Sequence, residues 1–255
     1  MSPAHEWDAG TYHRVSAPQQ AWAREQLDRI GELRGDEVIL DAGCGSGRVT
    51  AQLADLVPAG RLYGVDASRQ MVEHARAELG ERATILCQDL TELELPEAVD
   101  LIFSNATFHW ITDHDRLFAR LYGALRPGGR LVAQCGGEGN IDGFRRTADA
   151  VAAQPPFAAH PPVQAWSYAG PQETAKRLAA AGFLDVRTWL EPRPVVLEDP
   201  RPFITSVCLL PYLETLPAQL REPFVGAVLA ATGTPLTLDY VRLNMTALRP
   251  PAHPE

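Results

Sequence analysis

The residue types with most to say about chemistry are three glycines and three acids. The string Val38-Ile39-Leu40-Asp41-Ala42-Gly43-Cys44-Gly45-Ser46-Gly47 ends a short apolar run on an acid and then sets a glycine at every second position. Glycines so spaced let the backbone turn tightly and let a ligand approach it closely. The pattern is not a dinucleotide fingerprint. G-x-G-x-x-G begun at Gly43 meets Arg48 where its third glycine belongs, and begun at Gly45 it meets Thr50. Asp41 also opposes a pyrophosphate lying over a helix N-terminus. An acid there suits a ligand that carries an ammonium and a sulfonium and no phosphate. Asp66 ends a second apolar run 19 residues after Gly47, where a carboxylate can accept both hydroxyls of a ribose. Asp89, with Leu90 beside it, can accept an exocyclic amine. The competing reading is a plain strand–helix turn followed by solvated strand-end acids.

Those residues need elements to hold them. Val38–Asp41, Arg61–Asp66, Ala83–Cys87, Val99–Ser104 and Arg130–Cys135 read as strands. Between them, Arg48–Val57 has helical spacing. Ser68 reads as the N-cap of a helix whose apolar face is Met71, Val72, Ala75 and Leu79. Asp113 caps another, with Leu117, Phe118, Leu121, Tyr122 and Leu125, which stops at Pro127-Gly128-Gly129. Strand and helix in alternation over short connections predict a parallel sheet with helices on both faces. Further on, Asp142–Ala153 and Pro171–Ala181 read as helices. Asp199–Ala231 is helical and broken by prolines, and Phe183–Leu190 and Leu238–Leu248 are strand-like. The last two can pair antiparallel at one edge of the sheet.

Composition sets the outer bounds. With 255 residues, 45% of them apolar and 22% charged, the chain can bury a core and is not disordered. A net charge of −9 argues against a nucleic-acid or anionic-membrane binder. The N-terminal residues carry Glu6 and Asp8 and no apolar stretch, so no signal peptide is expected. Cys44, Cys87, Cys135 and Cys208 form no CxxC pair and read as reduced thiols of a cytoplasmic protein. No metal site is read. Four prolines fall in residues 1–126 and seventeen in 127–255. The regular core therefore belongs to the first half.

Taken together, Leu40–Gly47 (LDAGCGSG), Gly64-Val65-Asp66, Cys87-Gln88-Asp89-Leu90, Phe103–Trp110 (FSNATFHW) and Leu125–Leu131 (LRPGGRL) resemble the class I S-adenosylmethionine-dependent methyltransferases. Trp7-Asp8-x-x-x-Tyr12, Asn105–Trp110 with Asp113-His114, and Leu213–Phe224 are similar to the trans-aconitate 2-methyltransferase and malonyl-carrier-protein methyltransferase group. The resemblance implies an α/β, Rossmann-like, seven-stranded and mostly parallel sheet with helices on both faces and an antiparallel edge strand. A helical insertion covers the substrate. The expected boundaries are a lid and first helix over 1–34, a cofactor core over 35–140, remaining core helices and edge strand over 141–198, a helical cap over 199–235, and the last strand and tail over 236–255.

The resemblance also implies roles. Asp41, Gly43, Cys44, Gly45 and Gly47 surround the methionine part of S-adenosylmethionine. Asp66 takes the ribose beside Ala67 and Met71, Asp89 and Leu90 bracket the adenine, and Asn105 and Ala106 face the sulfonium. Tyr12, His13 and Gln19 belong to an N-terminal lid, with Gln19 on the cofactor and Tyr12 toward substrate. His109 is the candidate general base, and Trp110, Phe203 and Tyr212 are candidate substrate contacts. Arg145, Arg146, Arg201, Arg221 and Arg242 are the arginines that could offer a carboxylate a bidentate fork. Two features depart from the group: His109 stands where Gln is more common, and Phe203–Tyr212 (FITSVCLLPY) is strongly apolar for a tricarboxylate pocket. The expected reaction is transfer of a methyl group to a small molecule, with a carboxylate or hydroxyl oxygen first among acceptors. N- or C-methylation, an NAD-dependent oxidoreductase and a non-catalytic S-adenosylmethionine-binding protein are the alternatives. A carrier-protein acceptor would need a basic surface patch. A monomer and a dimer are both compatible with the sequence.

Overall fold

The computed structural model describes residues 24–164 and 166–252. Tyr12, His13 and Gln19 lie outside the described residues. The first strands alternate with helices: β1 (Val38–Ala42), α1 (Arg48–Leu56), β2 (Arg61–Asp66), α2 (Arg69–Leu79), β3 (Thr84–Cys87), β4 (Val99–Asn105), α3 (His114–Ala124) and β5 (Leu125–Gly136). The expected caps are present. Ser68 Oγ accepts from the Met71 N–H at 3.3 Å, and Asp113 Oδ1 accepts from the Arg116 N–H at 2.9 Å. There follow α4 (Asp142–Ala152), α5 (Pro171–Ala180), β6 (Leu184–Pro192), β7 (Val195–Val196), α6 (Ala218–Ala231), β8 (Thr237–Leu238) and β9 (Val241–Leu248).

Seven strands form one sheet in the order β3-β2-β1-β4-β5-β9-β6. The pairs from β3 through β5 are parallel, and β9 runs antiparallel to both β5 and β6. The reversed strand thus lies one place in from the edge, with β6 outermost. Alternate residues feed two cores, as a sheet covered on both faces requires. Leu40, Ile102, Leu131 and Met245 enter one, and Ile39, Leu101, Phe103 and Val132 the other.

β5 begins five residues before the Arg130 expected from sequence. Leu125 pairs with Val99, and the register then jumps so that Leu101 meets Arg130. The Pro127-Gly128-Gly129 turn is absorbed as an irregularity inside the strand, pinned by Arg126 on Asp100 at 2.9 Å.

A separate apolar core fills the second half. Phe144, Phe203, Tyr212, Phe224 and Leu238 are among its buried members. It joins α4 and α6 to the two-stranded ribbon of β7 and β8 and to a run of short helical pieces. These are Pro200–Phe203, the π-helical Ile204–Cys208, and Leu210–Leu213. Among the described residues no helix is long and apolar enough to cross a membrane.

Candidate active site

The loop after β1 is folded back onto β2. The N–H groups of Gly43 and Cys44 both donate to the Val65 carbonyl, at 2.8 and 3.0 Å. Gly43 has φ +84°, and a Cβ on it would fall 1.9 Å from Thr107 Oγ1. Glycine is required there for conformation and for space together. Gly45 differs: its φ is +53°, yet among the described residues nothing lies within 4 Å of where its Cβ would be. Its backbone leaves room for a ligand to approach closely. Gly47 is the N-cap of α1 and packs against Ala75 and Leu79 of α2.

Asp66, at the end of β2, is held by the loop itself. Its Oδ2 accepts from the Gly45 N–H and its Oδ1 from the Ser68 N–H, both at 2.9 Å. The carboxylate is thereby fixed beside the open backbone of Gly45. Asp41 is buried, and Thr50 Oγ1 donates to its Oδ2 at 2.7 Å. Burial pushes its carboxyl up to about 7; Thr50 opposes that and the charge of Asp66 adds to it. A buried acid poised to ionise when a cation arrives fits an ammonium. Cys44 is buried as well, and its thiol is pushed well up by burial and by Asp41 and Asp66, which removes it as a nucleophile.

Asp89 is exposed after β3 and caps the turn Leu90–Glu92, its Oδ1 accepting from the N–H and the hydroxyl of Thr91 at 2.8 Å each. Leu90 is buried in the main core. Met71 is buried in the first turn of α2, and Ala67 is exposed just before it. Asn105 ends β4, half-buried like Ala106, and the next residue, Thr107, donates to the Gly43 carbonyl at 3.3 Å. The ends of β1, β2, β3 and β4 thus bring the expected cofactor residues to one edge of the sheet, where α/β folds bind ligands.

His109 and Trp110 lie in a short 3₁₀ turn, Phe108–Trp110, after β4. The Gly136 N–H donates to His109 Nδ1 at 3.3 Å. A backbone N–H only donates, so Nδ1 holds a lone pair and the ring proton sits on Nε2. Withdrawal from solvent pushes the imidazole down to about 3, with Arg242 and His114 adding to the effect. The ring stacks on Tyr168 at 5.7 Å, and Trp110 and Trp166 extend the aromatic group. The guanidinium of Arg145 lies over Trp166 and Tyr168, at 5.7 and 5.5 Å.

The other sequence candidates scatter. Phe203 and Tyr212 are buried in the second core, where Tyr212 packs on Phe224 and donates to Asp149 at 2.6 Å. Arg201 pairs with Glu222 on the surface, Arg221 donates to the Leu216 carbonyl, and Arg146 is exposed. Arg242 is buried, opposite Gly136 in the β5–β9 register. Sequence reasoning missed Thr107, Trp166 and Tyr168. The Trp-x-Tyr pattern was the available signal for the last two. It also missed Gln134, buried and paired in register with Asn105. Among the described residues no group of His, Cys, Asp and Glu is arranged to hold a metal.

Comparison with known proteins agrees with this geometry. A family model described as a methyltransferase domain matches residues 40–133. A trans-aconitate 2-methyltransferase of Paracidovorax citrulli is 30% identical over 238 residues, covering 88% of this chain and 87% of that one. One from Deinococcus radiodurans is 29% identical over 269 residues, covering 96% and 98%. Among solved structures, phosphoethanolamine N-methyltransferase 2 of Haemonchus contortus, in complex with S-adenosylhomocysteine, superposes with a TM-score of 0.62 at 20% identity. It covers 95% of this chain and 57% of that one, a likeness of fold. Glycine loop, strand-end acids, sheet order and relatives converge: the chain belongs to the class I S-adenosylmethionine-dependent methyltransferases, enzymes that pass a methyl group from that donor, here to a small molecule.

Proposed function

We propose that the acceptor is a carboxylic acid and the product its methyl ester. The observation that carries this reading is the state of His109. A hydroxyl or ammonium acceptor has to lose a proton, and a base serves best when its pKa is near the working pH. His109 has its Nδ1 lone pair on the Gly136 N–H and a pKa near 3, with buried Arg242 close by. It is a hydrogen-bond donor through Nε2 and not a base at neutral pH. A carboxylate is already ionised and needs no base. The names of the relatives, trans-aconitate 2-methyltransferases, support the same class.

When bound, S-adenosylmethionine supplies an electrophilic methyl group on a sulfonium. The chain's own residues bind and orient. Asp41 and the loop of Gly43, Cys44, Gly45 and Gly47 hold the amino-acid end, and Asp66 with Ala67 and Met71 holds the ribose. Asp89 and Leu90 flank the adenine, and Asn105 and Ala106 face the reacting centre. In the transfer a C–O bond forms as the C–S bond breaks. The electron pair stays on sulfur, and both charges vanish. Excluding water favours a step that neutralises charge, and alignment supplies much of the rate. The apolar core formed by α4, α6 and the Pro200–Leu213 run is the cover that would exclude it.

The test is transfer of labelled methyl to carboxylic acids, phenols and amines, followed by mild alkali. Esters release labelled methanol; ethers and methylamines do not. Label that survives alkali overturns the reading.

A further inference from the structure

The turn that carries His109 and Trp110 is held by its carbonyls. The Ser167 N–H donates to the His109 carbonyl at 2.8 Å. The carbonyl before it, that of Phe108, accepts from the Ile111 N–H at 3.0 Å. It also lies 3.0 Å from Nε2 of His114, the buried first residue of α3. The other ring nitrogen of His114, Nδ1, lies 3.1 Å from Nη1 of Arg177 on α5.

These two contacts fix the proton of the imidazole. A guanidinium has donors only, and a carbonyl only accepts. Nδ1 is therefore bare and accepts from Arg177, while Nε2 carries the hydrogen and donates to Phe108. The ring is neutral and in one tautomer. A second proton would set an Nδ1–H against the N–H of Arg177 and end that bond. Withdrawal from solvent holds the ring below the usual imidazole range, and Arg177 adds to this against the Phe108 carbonyl, Glu173 and Asp115. Arg177 is itself tied down: Nη2 donates to Glu173 at 2.7 Å, and Nε lies 3.6 Å from Asp115. The ring is also packed. Phe118 lies 5.7 Å from it and meets Phe108 edge-on at 6.2 Å.

One stretch of chain thus holds two successive carbonyls of the turn. Ser167, near its start, takes that of His109 directly, and Arg177, further along, takes that of Phe108 through His114. Trp166 and Tyr168, which pack on Trp110 and His109, belong to the same stretch. The wall of the site beyond β4 is therefore one unit, and a neutral histidine is its joint.

We infer that His114 is a positioning residue for methyl transfer: a strut between Arg177 and the Phe108 carbonyl that sets the turn presenting His109 and Trp110 to the acceptor. This rests on the reading above that the residues after β4 face the reacting centre, and it holds for any class of acceptor.

The experiment compares wild type, H114Q, H114F and R177M. Gln keeps one donor and one acceptor, Phe keeps a ring and loses both, and R177M removes the donor to Nδ1 from a half-buried position. Calorimetry with S-adenosylhomocysteine gives the affinity and the number of competent sites. Labelled methyl transfer to trans-aconitate, benzoate, phenol and benzylamine is then measured per competent site, on whichever takes most label. H114F lowers kcat roughly 10- to 100-fold, with KM within about threefold and S-adenosylhomocysteine affinity within about twofold. R177M lowers kcat roughly three- to tenfold, and H114Q stays within about threefold of wild type. A nitrogen-15 spectrum of histidine-labelled wild type, with His114 identified by the signals missing in H114Q, shows a bare Nδ1 and a protonated Nε2. An unchanged kcat per competent site in H114F and R177M overturns the inference, as does H114Q as impaired as H114F, or a proton on Nδ1. If H114F does not fold, R177M and the spectrum decide. Label that survives alkali overturns the carboxylate reading and leaves this inference standing; wild type that labels none of the four overturns both.

Discussion

The two cores of this molecule are built by different rules. Around the sheet, β1 to β4 are short, largely apolar strands, and the residues proposed for the cofactor come from their carboxyl ends and the segments just after them. In the second core no local pattern dominates. Seventeen prolines divide the latter half into short pieces, one of them π-helical, and burial of large rings such as Phe224 against Phe157 and Tyr212 holds the pieces together. The first region carries the residues proposed for a ligand common to a whole family. The second has only to be apolar and closed, which many sequences satisfy.

The comparison is broken most strongly by emptying each core in turn. Phe103→Ala and Phe224→Ala both delete a fully buried ring and should each cost about 3–5 kcal/mol locally. The expected difference is in what survives. F103A loses S-adenosylhomocysteine binding together with the near-ultraviolet signal of the fold. F224A keeps that binding and loses acceptor turnover. Equal loss of both functions in F224A would mean the two cores act as one.

Next in size is Asp66→Ala. It removes the carboxylate held by Gly45 and Ser68, and calorimetry should show S-adenosylhomocysteine affinity falling roughly 100-fold with the thermal midpoint little changed.

A smaller effect separates Asp41 from Asp66 by pH. The carboxyl of Asp41 is raised to about 7, so the folded protein keeps a proton that the unfolded chain releases near pH 4. A raised acid lends stability that is fully present at low pH and is lost as pH climbs from about 4 to about 7. Affinity for the cationic ligand runs the other way, since Asp41 must ionise to pair with an ammonium. It should rise roughly tenfold between pH 6 and pH 8, with a proton released on binding. D41N abolishes both slopes. A wild-type affinity flat across that range would remove Asp41 from the ligand.

The smallest expected change is His109→Gln. Gln can donate a hydrogen bond but cannot act as a base, so kcat should stay within about threefold of wild type. The wild-type rate should show no inflection near pH 6.5, because His109 remains neutral down to about pH 3. A loss of a hundredfold or more in H109Q would restore the histidine as a base.

Much of this was legible beforehand. The strands β1 to β4, the caps Ser68 and Asp113, and the loop of Gly43, Gly45 and Gly47 follow from local pattern, and local pattern is what made them. The start of β5 was not, because the pairing of Leu125 with Val99 across an irregular register is non-local. On β9 the alternation of Tyr240, Arg242, Asn244 and Thr246 with Val241, Leu243 and Met245 announces a strand with one wet face. The structure buries Arg242 and Asn244 nonetheless, since Gln134 accepts from Arg242 Nε while Gln26 and Arg29 arrive from over 200 residues away to donate to Asn244. Phe203 and Tyr212 looked like pocket residues because they are aromatic within a proposed cover. They are the interior of the second core. Nothing in a string of side chains says which side of a layer they occupy.

The place of β9 has a consequence for how the enzyme comes into being. Among the described strands it comes last along the chain and next to last in space, wedged between β5 and β6. A nascent chain can pair β1 to β5 while still on the ribosome, but β6 has no neighbour to join until residues 241–248 emerge. Until then the sheet ends in a raw edge at β5, and Gln134 has neither Asn244 nor Arg242 to bond. Synthesis therefore passes through an interval in which β1 to β5 can pair while β6 has no strand to join.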